Sequence, residues 1–528
     1  MKLFSLRLTT LKSKLYAIVF ASFVVRVVAF FALPDKESNL GPDEGNYGAL
    51  TEWIAQGKPA DEYPYTTLYI ISRSHIVPAT LLNRLGLNGL DSVRIIASLY
   101  GLLTLALIAF VLLRIVESRQ EAESFVLKNQ KTVLILFAIF GFLPSHLIWS
   151  ILGLREAAME FWVLFVFALV FYVFEVKKSP SKLVFLGILI AIPSVFSTRP
   201  QVGWVLGVTL LIYFLFKVRV KAAQILIPLT VIGIVSGYVV TTAFSVETTE
   251  VFVAYKEIAE PSPSASPSTT LLPTKKATPK PSKSKQTTSS PTATSSPTAT
   301  SAPTATSAPT ATSSPTATSA PTATSQAEFN ASIDCKTEGQ EVIIQGVKYL
   351  CEKKVDKKSI VGLKNPGVVL IDQAEAIPQR HEVNKFGAAS AIKTLACPIT
   401  DESRIQKYLC MAYRAPYTTY TFLVRPMLGA DVTSNSSLFA AVENIFWLGA
   451  LLFVAVMFIR NRRLAFFGAL APSLLFFSIY SVAAGAYEGN MGTAFRHKSL
   501  ILWVVILLLA STFVATKERK AENRELEA

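Results

Sequence analysis

The sequence predicts an all-α polytopic membrane protein, and three observations carry that prediction. Only 16% of the 528 residues are charged and 51% are hydrophobic, whereas a soluble chain of this size carries about 25% charged residues. The apolar residues form blocks long enough to cross a bilayer instead of amphipathic stripes, and the mean hydropathy is +0.43. The net charge of +15 gathers beside those blocks, where it sets membrane orientation, and does not form a nucleic-acid-binding face.

Apolar blocks at 15–33, 93–115, 132–151, 157–175, 183–198, 201–216, 222–244, 438–459, 464–485 and 498–515 predict about ten transmembrane helices. The blocks at 183–198 and 201–216 are short and meet at Arg199-Pro200, so one broken element is the alternative there. The first block follows Lys2, Arg7, Lys12 and Lys14, as in a signal peptide. It is long, however, and lacks a small-residue cleavage site, so it reads as a retained span.

With the N-terminus inside, every inner junction is basic: Arg114 to Lys131, then Lys177/Lys178/Lys182, Lys217/Arg219/Lys221, Arg460/Arg462/Arg463, and the tail from Lys517. Positive charge favours the cytoplasmic side, so both termini are expected inside and residues 34–92 and 245–437 outside. Residues 1–244 are then an N-terminal membrane domain with an external loop at 34–92. This loop carries two short helices, one around Ala49–Gln56 anchored by Trp53 and one over Pro78–Leu87.

Residues 245–326 are an external linker, rich in Ser, Thr, Pro and Ala over 261–326, with a hexapeptide repeat of the Ser-Ala-Pro-Thr-Ala-Thr type. Such a tract buries no apolar surface and is expected to be a disordered stalk. Residues 327–437 hold all four cysteines, Cys335, Cys351, Cys397 and Cys410, and read as a small disulfide-bonded extracytoplasmic module. Sequence order suggests Cys335–Cys351 and Cys397–Cys410 among three pairings, and the alternation of Glu341–Tyr349 with a turn at Gly346 suggests a β-hairpin. Residues 438–516 supply the last transmembrane helices and 517–528 a cytoplasmic tail.

The candidate chemistry lies at the outer helix ends. Gly41-Pro42-Asp43-Glu44-Gly45-Asn46-Tyr47 sets two adjacent carboxylates beside the bilayer, and Arg155, Glu156, Arg199, Glu488, Arg496 and His497 fall on the same predicted face. Arginines there can hold a phosphate while a carboxylate activates a hydroxyl. The plainer alternative is that these are interfacial ends of spans, where charge costs little. Arg26 lies inside the first span, where it must pair or snorkel, and His75 and His146 read as local hydrogen-bonding groups. The sequence contains no glycine-rich phosphate loop, HExxH or Gly-x-Ser-x-Gly, so a nucleotide-driven activity has no visible site.

The order of features resembles the C-type (GT-C) superfamily of membrane glycosyltransferases, in the branch of protein O-mannosyltransferases and aminoarabinose transferases. The features are Arg26 in the first helix, then Pro42-Asp43-Glu44-x-x-Tyr47, Pro78-x-x-Leu81-Leu82-x-x-Leu85-Gly86, and the run from Val93-Arg94-Ile95 to Thr104. The likeness extends more loosely through Arg155-Glu156, Arg199-Pro200 and Asn490–His497, and the insert 245–437 has no counterpart in it. The resemblance implies a GT-C-like enzyme that takes a sugar from a polyprenyl-phosphate carrier at the outer face of a bacterial plasma membrane. The acceptor would be a hydroxyl on an envelope glycan or glycoprotein. By the same analogy Asp43 is the general base, with Glu44 assisting it or binding a divalent cation. Tyr47, Arg155, Glu156, Arg199, Arg496 and His497 serve the lipid phosphate. The family's second external acidic motif is replaced by Arg155-Glu156, which leaves the metal unassigned. Two other classes remain open, a non-catalytic envelope scaffold displaying the cysteine module and a transporter or flippase for lipid-linked sugar.

Overall fold

The structure, a computed structural model, describes residues 10–33, 43–60, 63, 72–117, 123–177, 181–242, 246–257, 341–344, 347–359, 404–432, 435–460 and 467–527. The chain divides into two compact units, Met1–Glu247 with Lys357–Ala528, and Thr248–Asp356. The first unit is helical. Its elements are α1 (Leu11–Ala32), α2 (Glu44–Ala55), α3 (Arg73–Arg84), α4 (Gly89–Glu117), α5 (Glu123–Phe142), α6 (Pro144–Ile151) and α7 (Glu156–Phe171), the last continued by a π-helical turn at Tyr172–Lys177. Then come α8 (Lys182–Phe196), α9 (Pro200–Phe216), α10 (Lys221–Thr242), α11 (Arg404–Val424), α12 (Asn435–Arg460), α13 (Phe467–Tyr487) and α14 (Met491–Glu527).

Among the described residues seven helices are long and apolar enough to cross a membrane, or eight if the bent pair α5–α6 is one span. This is a multi-pass helical membrane protein, with fewer full-length spans than the ten apolar blocks predicted. The difference lies in α8 and α9, which are helices but fall short of spanning length at 15 and 17 residues. Prolines account for both breaks. Pro144 opens α6 and forces Leu143 into an extended conformation (φ −59°, ψ 131°), bending the pair by 42°. Pro200 opens α9 and does the same to Arg199 (φ −154°, ψ 104°).

Helix α4 is the hub, packing on α1, α2, α3, α6 and α7. Gly48 and Gly89 let α2 cross its start: a Cβ at Gly89 would come within 2.2 Å of the Gly48 carbonyl oxygen. Glu52 then accepts the Gly89 amide at 2.8 Å. The short helices match the two predicted in loop 34–92, although α3 begins before Pro78 and not at it. Pro78 cannot donate to the Ser74 carbonyl one turn back, and Tyr100 of α4 donates its hydroxyl to that carbonyl at 2.8 Å instead. The membrane core is aromatic at its centre, where Phe167 meets Phe476 and Trp503 at ring distances of 5.3 and 5.5 Å. Over Met491–Ser511 helix α14 is mostly enclosed by its neighbours, while α1 turns Phe20, Val28 and Phe31 outward, as a lipid-facing helix does.

A three-stranded sheet of order β1-β3-β2 joins β1 (Val246–Glu257), β2 (Glu341–Ile344) and β3 (Val347–Ser359), an addition to the all-α expectation. β2 and β3 are antiparallel, from Glu341 opposite Leu350 to Ile344 opposite Val347. That leaves two residues, Gln345 and Gly346, between the strands. The predicted stalk at 261–326 lies outside the described residues, as do the predicted cysteine pairings; no cysteine among the described residues is free.

Of the predicted module 327–437, the described residues are 341–344, 347–359 and 404–432. Its C-terminal part forms α11, which packs on α13 within the membrane unit, with Thr418, Thr421 and Phe422 buried. The Phe422 and Tyr480 rings lie 6.3 Å apart. The polar face of this amphipathic helix masks its apolar one in a hydropathy reading, which is why it reads as part of an external domain.

Candidate functional site

Asp43 occupies the position before α2 where an aspartate ordinarily caps the helix by accepting its first free amides. It makes no such bond. Its Oδ2 instead accepts from Arg496 Nη1 at 3.1 Å, joining the start of α2 to the first turns of α14. Asp43 is about half exposed, with 45% of its side chain accessible, and Arg496 is 18% exposed.

Behind that pair lies Glu156, the first residue of α7, with 2% of its side chain exposed. Its Oε1 meets Arg199 Nη2 at 3.0 Å and Arg496 Nε at 3.3 Å. Arg199 reaches this point because Pro200 holds it extended outside α9. Asp43, Arg496, Glu156 and Arg199 therefore form a chain of alternating charge that ties α2, α14, α7 and the α8–α9 junction together. Each charge in it has an opposite neighbour, which offsets the cost of burying Glu156 and the two arginines.

Arg155 and Tyr47 adjoin the chain. Burial pushes the Arg155 guanidinium down from its ordinary value, with the Tyr47 and Glu156 side chains opposing that and Arg199 and Arg496 adding to it. Burial likewise pushes the Tyr47 phenol up, and Arg155, Glu156, Asp43 and Arg496 all act on it electrostatically. The turn that sets Arg155 in place runs through Gly153, at φ 65°, a conformation glycine adopts without cost. The Gly153 carbonyl accepts from His75 Nε2 at 2.8 Å. His75 is fully buried, and desolvation pushes its pKa down to about 4.

His497 follows Arg496 on α14 and is 2% exposed. Its Nδ1 bonds Glu488 Oε1 at the end of α13, and Nε2 has no hydrogen-bond partner among the described residues. Arg199 and Arg496 act on the ring electrostatically. Seven of the eight residues predicted for the site, Asp43, Tyr47, Arg155, Glu156, Arg199, Arg496 and His497, thus meet at one end of the helical unit.

Glu44 does not join them. It is fully buried, and its Oε1 takes Arg94 Nη2 at 3.0 Å in the packing between α2 and α4. The adjacent carboxylates of the motif part company because successive helical positions point to different faces. Two residues outside the predicted set are integral to the arrangement, Arg94 under Glu44 and Glu488 behind His497. The signal for Glu488 was its place among the charges of the predicted outer face; that for Arg94 was its place in the run Val93-Arg94-Ile95 at the start of an apolar block.

Other buried polar groups pair within the bundle. Arg26 is buried, donating from Nε to Ser150 Oγ at 3.1 Å and from Nη1 to Ser22, which fixes α1 against α6. His146 bonds Glu160 at 3.2 Å. Among the described residues no three His, Cys, Asp or Glu side chains converge as a metal site requires. Glu44, which the resemblance offers either as a helper of Asp43 or as a ligand of a divalent cation, is paired with Arg94. The chain matches no protein-family model, no curated protein and no solved structure.

Proposed function

We propose that this chain is an integral-membrane glycosyltransferase of GT-C type. It moves a sugar from a polyprenyl-phosphate carrier to an acceptor hydroxyl at the outer face of a bacterial plasma membrane, in envelope glycan or glycoprotein synthesis. The observation that carries the reading is the single cluster in which Arg155, Arg199 and Arg496 surround Glu156 while Asp43, half exposed, sits at the rim on Arg496. The guanidiniums of Arg199 and Arg496 carry about ten N–H donors between them, and the contacts with Asp43 and Glu156 take only a few, which suits an incoming phosphate.

The chemistry follows from those positions. The acceptor oxygen attacks the anomeric carbon as Asp43 takes its proton, and the bond from that carbon to the phosphate oxygen breaks. The electron pair stays on the phosphate, where Arg199 and Arg496 meet the developing charge, a role that ordinarily supplies the largest share of acceleration. Arg496 binds both carboxylates in the resting site, so its move onto the phosphate would free Asp43 to act as a base. No step is routed through a metal ion.

The same cluster supports the expected orientation. Groups in ion-pair contact lie on one side of the membrane, so an even number of crossings separates each from the next. Counting α5–α6 once and α8 and α9 as one crossing each gives ten crossings in all. The cluster then falls at the ends opposite the basic junctions, and both termini on the basic, cytoplasmic side. At ~1.5 Å per residue the helices α8 and α9 are shorter than a hydrocarbon core of about 30 Å, so local thinning or tilt of their neighbours accompanies this reading. The pairings Cys335–Cys351 and Cys397–Cys410, and a role for the stalk in holding the acceptor near the site, belong to the same proposal. Removing 261–326 tests the stalk without touching α11: transfer to a membrane-anchored acceptor should fall while transfer to a short soluble acceptor persists.

The test of the function offers membranes with a panel of radiolabelled polyprenyl-phosphate sugars and follows label from the lipid fraction to acceptor. Transfer by the wild type and not by Asp43→Asn names the donor and supports the reading. Movement of labelled lipid across the bilayer with no glycosidic product would replace it with the transporter reading.

A further inference from the structure

His497 lies beside the arginine cluster with one ring nitrogen still open. The other is committed to Glu488, while Nε2 is enclosed without a partner among the described residues. A carboxylate behind Nδ1 fixes ring orientation and supports an imidazolium when one forms, as in hydrolase triads. The ring shares its surroundings with Arg199 and Arg496, the arginines that hold Glu156, and the ring in turn acts on Glu156.

The proposed reaction changes the charge at this place. The donor is a phosphodiester with one negative charge; the carrier leaves as a phosphomonoester, whose second ionisation near pH ~6 brings the charge toward two. A phosphate of higher negative charge beside an imidazole favours its protonated form.

We infer that the Glu488–His497 pair senses this change: when the carrier is a monoester, His497 takes up a proton on Nε2 and donates it as a hydrogen bond to the phosphate. The inference rests on the proposed function and deepens it, because it makes the site selective for the ionisation state of the leaving phosphate. The proton comes from water, while the acceptor's proton passes to Asp43 and then to water, so the reaction balances without another reactant.

The charged and titratable groups facing His497 define what else could report a pH effect. They are Glu156 from α7, Arg199 from the α8–α9 junction, Glu488 beyond α13, and Arg496 on its own helix. Tyr480 of α13 donates its hydroxyl to the His497 carbonyl at 3.4 Å. Lys498, next on α14, is turned away. It donates to the carbonyls of Leu423 and Arg425 and to Asn444 Oδ1, and lies within electrostatic range of Glu443 and Asp431.

The experiment titrates the full chain in detergent with farnesyl monophosphate and with its methyl phosphodiester, between about pH 5.5 and about pH 8.5, in buffers of different ionisation enthalpy. The dependence of heat on buffer gives the protons taken up. For the wild type the monoester should bind with proton uptake and the diester without it. His497→Gln, which keeps size and one donor, should abolish the uptake and weaken monoester binding about tenfold at neutral pH, leaving the diester nearly unaffected. Glu488→Gln should reduce the uptake. Equal, pH-independent binding of both probes by the wild type would overturn the inference and leave the phosphate seat standing, as would uptake that survives in His497→Gln. Binding of neither probe would overturn both the inference and the proposed seat.

Discussion

Asp43 and Glu44 are joined by one peptide bond and differ in nearly everything else. Glu44 and Arg94 are both almost completely buried, and taking away the guanidinium strands an ionised carboxylate in the packing. Arg94→Ala is therefore expected to cost about 3–5 kcal/mol and to lower the melting temperature of the detergent-solubilised protein. Asp43→Asn removes a half-exposed charge and is expected to change stability by about 0.5 kcal/mol or less. If Arg94→Ala melts with the wild type, the buried pair is not structural. His75 makes a prediction in pH. Its folded pKa of about 4 lies below the unfolded value, so the unfolded chain binds the proton first and stability falls with acidification. The loss begins near pH 6.5 and continues toward pH 4, where it totals about 3 kcal/mol. Melting temperature measured across that range should fall more steeply in the wild type than in His75→Gln.

At the level of elements, prolines decide where the functional side chains go. Pro200 keeps Arg199 out of helix α9. Pro200→Ala permits a helical Arg199 and should reduce transfer about tenfold or more by misplacing its guanidinium, with insertion in the membrane unchanged. Tyr100→Phe leaves the Ser74 carbonyl beneath Pro78 without its donor and should destabilise the protein by about 1–3 kcal/mol.

The apolar blocks and the Arg199-Pro200 break were legible in the sequence because hydropathy and proline act locally. The gathering of Asp43, Glu156, Arg199 and Arg496 was legible only as a shared face, inferred from the alternation of basic junctions. Which charge meets which was not legible, since Asp43 and Arg496 are 453 residues apart and no local pattern encodes their contact. The packing of α11 on α13 was not legible either: the helix mixes tyrosines and arginines with a narrow apolar stripe and lies among cysteines, so composition gave no sign of its partner.

For the whole molecule, the account requires the cluster and the basic junctions to lie on opposite sides of the bilayer. Gln56→Cys, just beyond α2, and Arg219→Cys, between α9 and α10, are both at exposed positions. A membrane-impermeant thiol reagent applied to intact cells should label the first above the background of the native cysteines and reach the second only after lysis. Labelling of both from outside intact cells would put the cluster and that junction on one side, an even number of crossings apart, and would contradict the account.

The most direct test of the central claim is turnover by Asp43→Asn at saturating donor, with donor binding measured alongside. A general base at the rim of an arginine seat predicts transfer reduced by about 10²–10⁴-fold with donor affinity kept within about tenfold, because the guanidiniums that hold the phosphate remain. Transfer that continues at the wild-type rate, or donor binding lost together with turnover, would contradict the assignment of Asp43 as the base and of the arginine cluster as a separate phosphate seat.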